Sequence, residues 1–310
     1  MSLDKLSDDL LLEIAEWVGT DAYHPSLVNI ITVRGTRFLG PPALCSRRLN
    51  TIVSPLLYRM FIQTNTKALP AFLRLALERP QIGEEVKKLM ATELPEDTKL
   101  DMSGWSPQDF ERCRTAIDSF DDLLILKSGW MANVEQGIWD AIVALLLLFL
   151  PKLEEIEMAF YYGRVPRGRE FSYRYIIQTF KYVASNQSFE KSPYSLKHPK
   201  TISAAYPGSI FKYGMDLDLF LPFFTPPSVS KVLISRVCEG SFWAAPPRRY
   251  QVQDLRFDNC SLNGDTVIKF LRCFTSIRKF HYVHGDGSVG YHLFLPQKNG
   301  RSSSSPPPLS

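Results

Sequence analysis

Apolar residues recur along this chain with two different periods, and the places where one gives way to the other divide it. Near the start, Leu10, Ile14 and Trp17 fall at i, i+4 and i+7, and Leu11 and Val18 widen the stripe. That spacing predicts a helix over residues 6–18. Ser7 or Asp8 can cap it, and Asp8, Asp9 and Glu13 suit the positive end of its dipole. Gly35, Gly40 and the pair Pro41-Pro42 predict a loop over 20–42. A second helix is expected over 43–52. A third starts at Ser54, a capping residue, with Pro55 at the first helical position, where its missing N–H costs nothing. Three short helices in residues 1–61 hold too little apolar surface to fold by themselves, so they dock on a partner or on the rest of the chain. Further helices are predicted over 66–79, 107–120, 134–150, 171–184 and 265–274. The most apolar run, 141–150, is stopped by Pro151. A membrane-spanning helix needs about 20 such residues, so this run is expected to be a buried core helix.

Between the helices the period falls to two. One segment reads Val252-x-x-Leu255-x-Phe257-x-x-Cys260-x-Leu262. This is the full leucine-rich template: apolar at the first, fourth and sixth positions, then Asn or Cys, then apolar. The alternation turns a short strand's apolar side chains inward, and the Cys satisfies backbone groups at the turn. Copies of the first half are Val86-x-x-Leu89-x-Ala91, Leu153-x-x-Ile156-x-Met158, Pro199-x-x-Ile202-x-Ala204, Val229-x-x-Val232-x-Ile234 and Ile277-x-x-Phe280-x-Tyr282. The last three units start 23 and 25 residues apart, inside the leucine-rich range of roughly 20–29. Regular spacing argues against chance alternation. The earlier starts are 67 and 46 apart, so those units are expected to carry insertions.

The opening residues, Leu6-Ser7-Asp8-Asp9-Leu10-Leu11-Leu12-Glu13-Ile14, resemble the start of an F-box, with Ser7 where that family has Pro and Asp9 where it has Glu. Ala43-Leu44-Cys45-Ser46-Arg47-Arg48-Leu49-Asn50 resembles its second stretch, and Ser54-Pro55-Leu56-Leu57-Tyr58-Arg59 its end. With the repeats, the chain resembles fungal-type F-box proteins with a leucine-rich-repeat-like C-terminal region. The resemblance implies an α/β protein: a three-helix F-box-like segment over 1–61, an irregular leucine-rich-repeat-like solenoid over 62–295, and a disordered tail over 296–310. It implies a non-enzymatic substrate-recognition subunit of a cullin–RING (SCF-type) ubiquitin ligase, without a cofactor. Leu6, Leu10, Leu11, Ile14, Leu44, Leu49, Leu56, Leu57 and Tyr58 would then bind a Skp-type adaptor, which joins the cullin core. The repeat region would hold a target protein for ubiquitin-dependent degradation. A helical cap on a repeat protein is the other reading of 1–61.

Strand alternation also places candidate target-binding residues. The side chains between the apolar template positions cannot enter the core. They are Glu154, Glu155 and Glu157 in the first strong unit, Gln253, Asp254, Arg256 and Asp258 in the full one, and Arg278, Lys279 and His281 in the last. From these, Glu155, Arg256, Asp258, Arg278 and Lys279 are singled out, on a face expected to be acidic near Glu155 and basic near Lys279.

Composition narrows the alternatives. The net charge of +4 is too small to argue for nucleic acid. Charge is uneven: residues 93–122 carry nine acids and three bases, and residues 164–212 nine bases and two acids. The second stretch is also rich in Tyr and Phe, but core rings with solvated cations between them explain it better than base stacking. Five cysteines without CxxC spacing fit reduced buried thiols, and the acidic opening does not suit a secretory leader. A cytoplasmic or nuclear protein without membrane contact is expected. The tail Arg301-Ser302-Ser303-Ser304-Ser305-Pro306-Pro307-Pro308 can bury nothing, and no cap over the last repeat is visible. Gly285-Asp286-Gly287-Ser288-Val289-Gly290 spells a dinucleotide fingerprint but lacks the following helix that would hold a pyrophosphate. His281 and His284, with Asp286 and His292 near, would need a turn to share a metal, so no metal is expected. The rival functions are a small-molecule enzyme or binder on an α/β fold, which a deep polar pocket would mark, and a repeat scaffold acting outside a ligase.

Overall fold

The computed structural model describes residues 6–20, 41, 43–93, 98–119, 124–160, 174–185, 196, 198–205, 215–239 and 250–285. The chain opens with helix α1 (Asp8–Thr20), whose cap is Ser7: its Oγ accepts from Leu10 N at 3.3 Å. A helical turn at 43–45 precedes α2 (Arg47–Tyr58). Here the structure corrects the expected pair of helices broken at Ser54. The break falls at Ser46, which is extended (φ −154°) and accepts from Leu49 N at 3.1 Å. Ser54 Oγ instead donates to Asn50 Oδ1 at 3.1 Å, and Pro55 lies inside the helix. The last turn survives the proline because Leu56 and Leu57 pack with Val53, Ala43 and Ala15 between the two helices.

The remainder is built on a seven-stranded parallel sheet. Strands β1 (Met60–Ile62), β2 (Lys88–Thr92), β3 (Glu155–Ala159), β4 (Thr201–Ala205), β6 (Lys231–Ser235), β8 (Asp254–Cys260) and β9 (Lys279–His284) lie side by side in that order. A second, two-stranded sheet pairs β5 (Met215–Asp216) with β7 (Val237–Cys238). All six template segments became neighbouring strands, and they pair in template register. Leu89, Ile156, Ile202, Val232, Leu255 and Phe280 form one row, and Ala91, Met158, Ala204, Ile234, Phe257 and Tyr282 the next. The rows are buried up to β8. On β9, the last strand among the described residues, Phe280 is 38% exposed. Cys260 fills its template role: it is fully buried, and its Sγ accepts from Val237 N at 3.4 Å. Each strand also anchors the next through one carbonyl. Arg59 O accepts from Lys87 N and Lys88 N, Lys87 O from Glu154 N and Glu155 N, and the pattern continues through Glu154, Lys200, Ser230 and Gln253 to Arg278 N and Lys279 N.

The connections cover one face of the sheet with helices. Between β1 and β2 run α3 (Ala68–Glu78) and α4 (Pro80–Glu85); α3 buries Leu69, Phe72, Leu73 and Ala76, the i, i+3, i+4, i+7 stripe its sequence carries. The long second connection holds α5 (Pro107–Asp118), α6 (Leu124–Glu135) and α7 (Trp139–Leu148). The single helix expected over 134–150 is therefore two, bent by 109°. Gly137 makes the corner at φ 70°, where a Cβ would stand 2.3 Å from Leu100 O. Every residue of α7 is buried, so the most apolar run is the central core helix. No single helix among the described residues is long and apolar enough to cross a membrane. Helix α8 (Arg174–Ser185) follows β3, a short helix α9 (Leu217–Phe220) and a 3-10 turn (Leu221–Phe224) follow β5, and α10 (Gly264–Leu271) joins β8 to β9. Of the loop expected over 20–42, Thr20 instead closes α1 and Pro41 is helical, while residues 21–40 and 42, the fingerprint residues 286–290, His292, most of the basic stretch and the tail lie outside the described residues.

Candidate functional site

The sheet face away from the helices carries the side chains between template positions, as alternation requires. Lys88, Glu155, Thr201, Lys231, Asp254 and Lys279 form one cross-strand row, and Met90, Glu157, Ser203, Leu233, Arg256 and His281 the next. The candidate residues Arg256, Asp258 and Lys279 come together on β8 and β9, with Arg278 just before β9. Glu155 does not join them: β4 and β6 stand between, a separation of about 14 Å at the usual strand spacing.

The face is charged at both ends and, apart from Lys231, neutral in the middle. At one end Lys88 Nζ lies 3.1 Å from Glu155 and 3.8 Å from Glu157, so the expected acidic patch is partly neutralised. Beside it, Glu154 lies 2.8 Å from Lys200 and 3.6 Å from Lys87. The Lys200 ammonium's hydrogen bond, with both lysine charges behind it, holds this carboxyl below its ordinary range. At the other end Arg256 Nε donates to both oxygens of Asp258, at 3.0 and 2.8 Å, and His281 Nε2 lies 3.8 Å from the same carboxylate. Between them, β4 and β6 offer Thr201, Ser203, Leu233 and Ser235, with a single charge, Lys231, at the start of β6. Sequence reading passed over this neutral strip, and over Lys88 and Lys231, because only strand order shows which side chains border which.

The N-terminal helices form a second surface. Leu10, Ile14 and Leu44 are 47%, 44% and 87% exposed, and Leu12, not singled out from the sequence, is exposed on the other flank of α1. Leu6, Leu49, Leu56 and Leu57 are half-buried. One candidate is not available to a partner, since Leu11 is buried; Tyr58 is half-buried and packs against the repeat core. The pair is tied by Arg48, which donates to Asp8 Oδ1 at 2.7 Å and to Leu6 O at 2.6 Å.

Elsewhere, an open cleft of about 620 Å³ lies among Leu77, Pro80, Gln108, Ala116, Phe149 and Pro151 on the helical side. Its charges are already engaged, Glu84 with Lys152 and Arg112 with Glu78 and Asp109. Burial pushes the Cys113 and Cys260 thiols up to about 12, so neither supplies a thiolate near neutrality. Four cysteines are buried, as expected, but Cys45 is exposed. Burial also lifts Asp140 to about 7, but its oxygens accept from Tyr175 N and Ile176 N at 2.8 and 2.9 Å. That carboxyl caps α8 and faces no cavity opening to solvent among those described. His281 and His284 both lie on β9 and are exposed, and no group of three metal-ligating side chains occurs among the described residues.

A parallel sheet of template-registered strands, one face covered by helices and the other open and polar, defines a repeat protein of the solenoid class. Residues 61–290 match the leucine-rich repeat domain family, and the chain belongs to it. Such domains generally mediate protein–protein interaction. A search of the curated proteins finds no match.

Proposed function

We propose that this chain is the substrate-recognition subunit of an SCF-type cullin–RING ubiquitin ligase. The N-terminal helices bind a Skp-type adaptor, and the open sheet face holds the target protein. The observation that carries this reading is the exposure of Leu10, Ile14 and Leu44 on a helical pair at the N-terminal end of the repeat sheet. Large apolar side chains left exposed on a short, ion-paired helical unit fit a protein partner better than water. With the F-box resemblance of the same residues, the partner is a Skp-type adaptor. The chemistry is proximity: the subunit raises the target's effective concentration near a charged ubiquitin-conjugating enzyme, and no residue of this chain need act on a bond. No cofactor, nucleic acid or membrane enters this reading, and its setting is the cytoplasm or nucleus.

The test is co-purification of the full chain with a Skp-type adaptor. Leu10→Asp with Leu44→Asp places two charges in the contact while leaving the Ala15–Val53 cluster intact. Adaptor recovery should fall at least about tenfold, since burying an unpaired charge costs several kcal/mol, with the melting temperature unchanged. Undiminished recovery would refute the assignment.

A further inference from the structure

The end of the sheet where the strands begin is more basic than the rest of the face. Lys87, Lys88, Lys200, Lys231, Arg278 and Lys279 lie there, one or two to a strand, against Glu154, Glu155 and Asp254. Near β2–β4 these cations share the acids, as the Glu154 and Lys88 ion pairs show. Near β6–β9 they do not. Lys231, Arg278 and Lys279 are exposed and make no ion pair among the described residues. Lys231, Asp254 and Lys279 stand level on neighbouring strands. The two lysines are therefore about 10 Å apart, two strand spacings. Asp254 between them is half-buried and short, so the longer lysine side chains carry their ammonium groups above it.

We propose that the edge formed by the starts of β6, β8 and β9 binds an acidic peptide segment, with Lys231, Arg278 and Lys279 as its carboxylate contacts. This rests on the reading of the open face as the target-holding surface, and it names the charge of what is held. The strands fix the spacing of the cations, so a ligand with several carboxylates meets them together, where single exposed pairs would hold little. Arg256 takes no part, because its Nε is held by both oxygens of Asp258 on its own strand, whose carboxylate offsets its charge.

Fluorescence anisotropy of a short fluorescein-labelled peptide of alternating Glu and Gly, titrated with the full chain at low salt, tests this. Saturable binding is expected, weakening steeply as salt screens the contacts. Reversal of Lys231, Arg278 and Lys279 to Glu should weaken it roughly tenfold to a hundredfold, and Arg256→Ala should leave it unchanged. If the reversed chain melts early, Lys231→Gln, Arg278→Gln and Lys279→Gln replace it. No saturable binding, or equal affinity for the variants, overturns the proposal; so does tighter binding of a single-stranded RNA of equal charge. This proposal and the broader reading fail separately. If Ser203→Arg in the centre of the face abolishes target capture while the edge variants do not, the face holds the target and the acidic-peptide edge is wrong.

Discussion

Asp140 shows how a single carboxyl can couple two elements and a proton. It sits in the first turn of α7, and its oxygens receive the first free amides of α8. Those bonds favour the anion, but complete burial outweighs them, and the nearby Glu93 adds to the rise to about 7. The folded value lies above the ordinary carboxyl value, so the protonated form is the one folding favours. Its stabilising contribution is complete below about pH 4, declines as pH rises toward 7, and is level above that. The decline is at most about 1.4 kcal/mol per pH unit. Denaturant midpoints should therefore fall more between pH 5 and pH 7 for the native chain than for Asp140→Asn; parallel profiles would show that the carboxyl titrates normally. Gly137 makes a different demand. Its φ of 70° and the Leu100 carbonyl beside it leave no room for a side chain. Gly137→Ala should cost at least about 2 kcal/mol in denaturant unfolding, from the left-handed backbone plus the clash.

Among the elements, six strands were legible because each required only local alternation, and their common template fixed their register. The seventh was not. At β1 the template would read Tyr58-x-x-Phe61-x-Gln63, and a polar Gln at the sixth position hides it. That Gln63 is nevertheless buried, its Oε1 accepting from Trp139 Nε1 at 3.0 Å and Thr92 N at 3.2 Å. The corner between α6 and α7 was missed for a related reason: Gly137 was read as part of a helix, and the carbonyl that demands a glycine comes from Leu100, far along the chain. At the other end of the sheet, β9 is held by more than its ladder. Tyr282 Oη donates to Cys260 O at 2.9 Å and accepts from Leu262 N at 3.1 Å, pinning the strand to the turn after β8. Tyr282→Phe should cost about 1 kcal/mol or somewhat more. Hydrogen exchange should locate the loss in β9, whose amides would exchange faster while those of β3 and β4 keep their rates.

The whole molecule is unequal in its cohesion. One continuous core runs from Leu69 to Cys273, whereas among the described residues the N-terminal helices gather a separate small cluster of Ala15, Ala43 and Val53, with Leu56 and Leu57 at its margin and Leu11 buried as well. Amides of α1 should therefore exchange at least about a hundredfold faster than those of the central strands, because local opening there exposes little apolar surface. Equal protection would mean that α1 opens only with the whole fold. The candidate site was legible to the same uneven degree. Alternation told which side chains face outward, so Arg256, Asp258 and Lys279 could be named from sequence. It could not tell that Lys88 neutralises Glu155, since those residues are 67 apart in the chain and become neighbours only through strand order.

The repeated carbonyl that receives two successive amides of the following strand has a consequence for how such a face can change. Connections between strands differ widely in length, yet each new strand is set down against its neighbour at one height, like a mark on a ruler. Helices can be added on the covered side, as three were between β2 and β3, without moving the graduations. A substitution at an outward position then relocates a charge by whole divisions and nothing else. Recognition by this molecule can drift one mark at a time while the scale that carries the marks stays fixed.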